Sequence, residues 1–330
     1  MNSFEPIYPP RLANLVMRTD KRRAGNHFVS LKAAIQFAAP HTWPASVLPV
    51  LLGAAFAYSD GFAPSVWRLL ITLMTGALLQ SAVNTFNDYR DFVSGIDTAE
   101  NCDDPTDAAL IYECDSPKAA FRYGLSLLAA SAALGAVLTY LAGLELLIYA
   151  GVALAAIILY TLPRISFSSL PLGELLSGTA LGGALTLASY RVQAGSFNPD
   201  TVFLAIPAVV TVACIMLTNN ISDIERDREG GRRTFPSLAG RKASQTSLAV
   251  ALSSAITMVT LAAFLKFPGG FAVVPILFFG AALNLAPLFS RPIAPAVRVE
   301  SMRCILSLHK WIITSYIAII ILHSISSNPP

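Results

Sequence analysis

Two short runs of the sequence carry oxygen ligands at helical spacing. The first is Asn84-Thr85-Phe86-Asn87-Asp88-Tyr89-Arg90-Asp91, with Asp97 further on. The second is Asn219-Asn220-Ile221-Ser222-Asp223-Ile224-Glu225-Arg226-Asp227. If both runs are helical, Asn84 shares a face with Asp88, Asn87 with Asp91, and Asp223 with Asp227, because residues four apart are neighbours on a helix. Each run then presents a column of carboxylate and amide oxygens. Oxygen donors of this kind suit Mg²⁺, which takes a few carboxylates and completes its shell with water and substrate phosphate. Two such columns point to a Mg²⁺-dependent diphosphate site, with nearby Arg and Lys meeting the rest of the anionic charge. The matching intervals, Asn84 to Asp88 and Asn219 to Asp223, each followed by a second Asp, suggest an internal duplication whose copies face one another. The acids between Glu100 and Asp107 lack this phasing and read as a solvated loop.

The elements that carry these columns lie in lipid. The 330 residues are 54% hydrophobic and 13% charged, with a mean hydropathy of +0.59, whereas soluble domains average about 25% charged residues. A surface this poor in charge needs an apolar solvent. The net charge of +3 and the scatter of basic residues exclude a nucleic-acid partner. Cys102, Cys114, Cys214 and Cys304 form no CxxC pair, so neither a disulfide framework nor a thiolate metal site is indicated. The fold class expected is an all-α integral membrane bundle of about nine transmembrane helices. The apolar stretches are 35–58, 66–86, 121–142, 145–162, 172–190, 201–220, 247–265, 270–289 and 305–323. Residues 1–34 read as a cytoplasmic tail without a cleaved signal, 35–323 as the membrane domain and 324–330 as a C-terminal tail.

Basic residues set the orientation. Nineteen fall on one side of the nine spans: six in the tail, then Arg90, Lys118, Arg122, Arg164, the group Arg226 to Lys242, and Arg291, Arg298 and Arg303. Only Arg68, Arg191 and Lys266 fall on the other, with Lys310 inside the last span. The N-terminus and both columns are therefore expected in the cytoplasm, with a bacterial inner membrane as the expected location. Acids at cytoplasmic helix ends fit a cytosolic diphosphate better than the midplane site of a transporter, the competing reading from another class.

The sequence also resembles the UbiA superfamily of intramembrane prenyltransferases, whose signatures are N-D-x-x-D-x-x-x-D and D-x-x-x-D at the ends of the second and sixth helices. Asn87-Asp88-x-x-Asp91 with Asp97, two residues later than the basic pattern, is similar to the first, and Asp223-x-x-x-Asp227 matches the second. Trp43-Pro44-Ala45-Ser46-x-x-Pro49, Leu172-Gly173-Glu174, Tyr190-x-Val192-Gln193-x-Gly195 and Gly231-Arg232-Arg233-Thr234 resemble the branch that prenylates 1,4-dihydroxy-2-naphthoate for menaquinone. The acidic stretch Asn101–Asp115 and Ser222 depart from that branch.

The resemblance implies electrophilic prenylation of an aromatic acceptor by a polyprenyl diphosphate. Asn87, Asp88, Asp91, Asp223 and Asp227 would hold Mg²⁺, and the four aspartates would be catalytic. Asn84, Asn87 and Asn219 would act as neutral ligands or orienters, and Asp97 belongs to the first signature. Lys118, Arg122, Arg164 and Arg226 are candidate diphosphate partners, with Tyr160 beside Arg164 in Tyr160-x-x-x-Arg164. Phe86, Tyr89, Tyr160 and Tyr190 are candidate shields for an allylic cation, and Glu174 is either an acceptor-side residue or a structural hydrogen-bonding group. The prenyl tail would lie between helices, open to membrane lipid. Other acceptors in view are 4-hydroxybenzoate, homogentisate and a specialised phenol. In a Cys-free background, single cysteines at Ser94 and Gly230 should label only from the cytoplasmic side and one at Ser196 only from the other; labelling of Ser94 and Ser196 from one face would break the nine-span reading.

Overall fold

A computed structural model describes residues 29–93, 95, 109–112, 116–161 and 172–327. Among the described residues all regular structure is helical. The α-helices are α1 (Leu31–Ala38), α2 (Pro44–Ser59), α3 (Val66–Val93), α4 (Ala109–Tyr112), α5 (Pro117–Ala142), α6 (Leu146–Thr161), α7 (Gly173–Ser177), α8 (Leu185–Ala194), α9 (Asp200–Leu204), α10 (Ile206–Ser222), α11 (Ile224–Glu229), α12 (Phe235–Ala239), α13 (Arg241–Leu265), α14 (Val274–Phe289) and α15 (Arg298–Ser327). A π-helical segment, Gly178–Ala184, joins α7 to α8. Each of the nine apolar stretches read from the sequence has helix at its place. Among the described residues six helical segments are long and apolar enough to cross a membrane, or seven if Leu31–Thr42 and Pro44–Ser59 make one bent span. The two stretches that do not count among these are 145–162, where the described α6 has 16 residues, and 172–190, which is assembled from three helical pieces. The protein is a multi-pass integral membrane protein.

The chain divides into two compact units, one of residues 1–41 and 78–131 and the other of 42–77 and 132–330, so α3 and α5 contribute to both. In the first, Ala33 and Phe37 of α1 pack with Leu110 of α4 and Ala120 of α5, and Tyr89 and Phe92 of α3 cover them. Ser30 caps α1 by accepting from the Ala33 amide. The Tyr123 hydroxyl donates to the Ala34 carbonyl at 3.2 Å, pinning α5 to α1.

In the second unit the core runs through Leu52, Ile221, Leu252, Leu277, Ile305 and Ile312, which join α2, α10, α13, α14 and α15. His309 of α15 is fully buried, with Nδ1 3.0 Å from Thr211 Oγ1 and Nε2 3.1 Å from the Pro44 carbonyl, so one ring ties three helices together. Lipid tails are as apolar as leucine, so membrane helices gain most from close contact of small residues. Here the π segment meets α10 backbone to backbone: a Cβ on Gly182 would lie 2.5 Å from the Ala208 carbonyl oxygen, and one on Gly178 would strike the Val209 carbonyl. Gly53 of α2 lies equally close to Thr186 of α8, where the Ser189 hydroxyl donates to the Val50 carbonyl at 2.6 Å.

Charge is segregated along this unit. Arg241 opens α13 and pairs with Glu225, while Lys266 follows its last residue and pairs with Asp200 at 2.9 Å. Arg191 pairs with Glu145, and Arg68 donates to the Val192 carbonyl, both at the Lys266 end. The three basic residues that the sequence sets apart from the rest thus gather at one end. Gly182→Ala should cost about 1–3 kcal/mol through overpacking and lower the thermal midpoint in detergent. Gly135→Ala, whose added Cβ meets nothing within 4 Å, should leave it unchanged.

Candidate functional site

The first column lies wholly within α3, which runs without a break to Val93. The helical condition is therefore met, and Asn84 and Asp88 share a face, as do Asn87 and Asp91. Asp91 is 6% exposed, and both Arg90 Nη2 (2.6 Å) and Nε (3.1 Å) donate to its Oδ1. Asn84 donates to the Ala38 carbonyl at 3.4 Å and accepts from Gln80 at 3.2 Å, and the Ser81 hydroxyl meets the same carbonyl. Its amide thus secures the C-terminus of α1. Asn87 Oδ1 is buried and has no hydrogen-bond partner among the described residues. Such an orphan is costly, and an oxygen-only set of Asn87, Asp88 and Asp91 fits a hard cation such as Mg²⁺. Among the described residues no three His, Cys, Asp or Glu side chains gather closely enough to hold a metal by themselves. Water and substrate phosphate would have to supply the remaining positions.

Lys118 and Arg122 are exposed on the first turns of α5 in the same unit. Between them Phe121 packs against Phe86 and Tyr89, with ring centroids 5.6 and 5.2 Å apart. That contact brings the start of α5 against the last turns of α3 and gives Phe86 and Tyr89 a packing role.

The second column departs from a continuous helix. α10 ends at Ser222, and Asp223 caps it with φ −100° and ψ 12° before α11 begins at Ile224. The Asp227 amide still bonds the Asp223 carbonyl at 2.8 Å, so the four-residue register survives the break. Asn219 Nδ2 donates to Asp223 Oδ2 at 3.3 Å, the pairing its spacing predicts. Asp223 is 7% exposed and meets two arginines, Arg226 at 2.8 Å and Arg298 at 3.4 Å, and Arg298 Nη2 also donates to Asn219 Oδ1. Burial pushes the Asp223 carboxyl up to about 6; Arg226 opposes that rise and the neighbouring Asp227 adds to it. Asp227 is 1% exposed, accepts from the Thr234 hydroxyl at 2.8 Å and lies 3.6 Å from Arg232 Nη1. Thr234 also accepts from the Ser237 amide, so a single hydroxyl caps α12 and holds Asp227. The exposed Glu225 is held below the usual carboxylate range by its hydrogen bond from Arg241.

In the sequence Arg90 and Arg298 stand out only as orienting charges, and Arg232 also within Gly231-Arg232-Arg233-Thr234. The structure makes them the partners of three site aspartates. It also places Tyr190, a candidate shield in the sequence, away from Asp223. The Tyr190 hydroxyl donates to Asp60 at 2.7 Å, and Asn198 donates to the same oxygen at 2.8 Å. Asn198 precedes α9 and α10, and the 17 residues of α10 span about 25 Å before Asp223. Glu174 accepts from Asn220 Nδ2 at 2.8 Å, on the last turn of α10. Asp97, Arg164 and the side chain of Tyr160 lie outside the described residues.

The model described as the UbiA prenyltransferase family matches residues 46–298. A 1,4-dihydroxy-2-naphthoate octaprenyltransferase of Bacillus subtilis is 34% identical over 226 residues, covering 68% of this chain and 71% of that enzyme. The UbiA prenyltransferase domain-containing protein 1 of Homo sapiens is 31% identical over 237 residues, covering 70% of this chain and 66% of that protein. The structure of a UbiA homolog from Archaeoglobus fulgidus bound to DMAPP and Mg²⁺ superposes with a TM-score of 0.57 at 19% identity, covering 87% of this chain and 98% of that one. At that identity the likeness is one of fold.

Removing Arg298 should leave Asp223 with less compensation. Arg298→Ala also removes the hydrogen bond from Arg298 Nη2 to Asn219 Oδ1 and should cost about 1.5–3 kcal/mol, the range for a hydrogen bond made by a charged group. Adding Asp223→Asn should recover part of that loss. Thermal unfolding of the single and double variants in detergent checks both; strictly additive losses would contradict the coupling.

Proposed function

Since the chain belongs to the UbiA prenyltransferase family, it is a prenyltransferase, and we propose that it transfers a polyprenyl group from an allylic diphosphate to 1,4-dihydroxy-2-naphthoate with loss of CO₂. The observation that carries the acceptor is the 34% identity to a naphthoate octaprenyltransferase over two thirds of this chain. Family membership sets aside the transporter reading. Asn87, Asp88, Asp91, Asp223 and Asp227 hold Mg²⁺, which when bound supplies Lewis-acid stabilisation of the leaving group. The site faces the cytoplasm of a bacterial inner membrane.

The chain's own residues do the rest. Arg226 and Arg298 concentrate positive charge at Asp223, where an incoming diphosphate gains cationic partners already held in place. Asn219 orients both Asp223 and Arg298. Lys118, Arg122 and Arg164 are further cations on the proposed cytoplasmic side. Apolar helix faces exclude water from the allylic carbon while its bond to oxygen breaks, which keeps water from capturing the prenyl group.

The acceptor reading is checked by product mass. Attack through the ring carbon that bears the carboxylate leaves a non-aromatic ring, and loss of CO₂ restores aromaticity. Purified protein given the naphthoate, Mg²⁺ and a polyprenyl diphosphate should release one CO₂ per prenylated product. A product that keeps its carboxylate, or inertness toward the naphthoate beside turnover of 4-hydroxybenzoate, would overturn the acceptor. Asp88→Asn and Asp223→Asn should each lower turnover by at least about a hundredfold at equal membrane abundance.

A further inference from the structure

Glu174 is a carboxylate that the prenyl-transfer scheme above leaves unused. It stands in the first turn of α7, at the start of an apolar helical stretch, where an ionisable group is costly and calls for a role. Glu174 is half-buried, and Oε1 accepts from Asn220 Nδ2 at 2.8 Å. Among the described residues it has no cationic partner, whereas Asp91, Asp223, Asp227 and Glu225 each have an arginine.

Its placement is fixed by the backbone. The π segment that follows α7 rests Gly178 and Gly182 directly on the α10 main chain, which allows a short side chain on α7 to reach the last turn of α10. π-helical segments often accompany functional sites. On α10, Asn219 and Asn220 are adjacent and so point about 100° apart around the helix. Asn219 faces the arginines and Asp223; Asn220, 4% exposed, faces Glu174. The end of α10 therefore presents two chemically different sides. One is cationic and suits a diphosphate. The other is the Glu174 carboxylate, without a cationic partner among the described residues, which repels a diphosphate and suits a hydroxyl that can give up a proton.

We propose that Glu174 is the catalytic base that receives the hydroxyl proton of the aromatic acceptor, with Asn220 as the positioning residue that fixes its carboxylate. The inference rests on the proposed aromatic prenyl transfer. As the allylic C–O bond breaks, its electron pair leaves with the diphosphate. The ring carbon bearing the carboxylate bonds to the allylic carbon, and the hydroxyl on the neighbouring ring carbon becomes a carbonyl as its proton passes to Glu174. The bond to the carboxylate then breaks and CO₂ leaves; the pair returns to the ring, and Glu174 gives the proton back to the oxygen. The products are the prenylated hydroxyarene, CO₂ and diphosphate.

The bland alternative is that Glu174 and Asn220 serve only as glue between α7 and α10, and Glu174→Gln separates the two. Glutamine keeps an acceptor for the Asn220 amide and loses the base. With the purified full-length protein, E174Q should unfold at the wild-type temperature and bind the polyprenyl diphosphate within twofold of wild type. It should turn over at least about a hundredfold more slowly, as general-base loss requires, and recover part of its rate on hydroxyarenes with a more acidic hydroxyl. Turnover within threefold of wild type overturns the inference. So does a loss that is uniform across acceptors and accompanied by a lower unfolding temperature, which is the signature of glue. Wild-type protein that prenylates no hydroxyarene would remove the proposed function itself; a working wild type with a working E174Q removes only this inference.

Discussion

Asp223 places a carboxylate, 7% exposed, at the end of a helix long enough to cross a membrane. An ion taken out of water costs several kcal/mol unless it is paired and hydrogen-bonded. Much of the second unit's polar end follows from that requirement. Arg226 reaches back from α11, Arg298 comes from the start of α15, and Asn219 bridges Asp223 and Arg298. Asp227 sets the same demand one turn later. It is met by Arg232 and Thr234 from the loop that leads into α12. The break at Asp223 lets these partners converge while the bond from the Asp227 amide keeps the two carboxylates in register.

The rest of that unit holds this end in place. Close backbone contacts at Gly53, Gly178 and Gly182 bring α2, α8 and the π segment against their neighbours, and His309 joins α15 to α10 and α2. A membrane helix that carries charge at its tip needs such rigid support, because a small tilt would expose the pair to lipid or separate it. The same contacts aim Glu174 at Asn220, so one packing solution serves both the cationic and the anionic side of the α10 terminus.

Much of this was legible in the sequence, because its signals are local. The four-residue spacing of Asn84 with Asp88, and of Asn219 with Asp223, needs only helical periodicity, and the helices are there. The apolar stretches follow from composition in the same way. The arginine partners were not legible. Arg298 lies 79 residues from Asn219, and nothing in its neighbours distinguishes it from the other basic residues that orient the chain. The π segment was hidden because Gly-Thr-Ala-Leu-Gly-Gly-Ala reads as ordinary small-residue helix until the α10 backbone lies against it. Tyr190 was misplaced because a tyrosine in an apolar helix shows no sign of which end it will serve. Its tie to Asp60, 130 residues away, decides that.

Each column is proposed to bind Mg²⁺ together with a substrate diphosphate. The affinity of an unreactive polyprenyl diphosphate analogue, measured across a Mg²⁺ titration in wild type and in Asp88→Asn and Asp223→Asn, decides the matter. Binding should be tight and require Mg²⁺ in wild type and be weakened about tenfold or more by either substitution, each removing one charged ligand. Binding that is unchanged in excess chelator, or untouched in either variant, would contradict this.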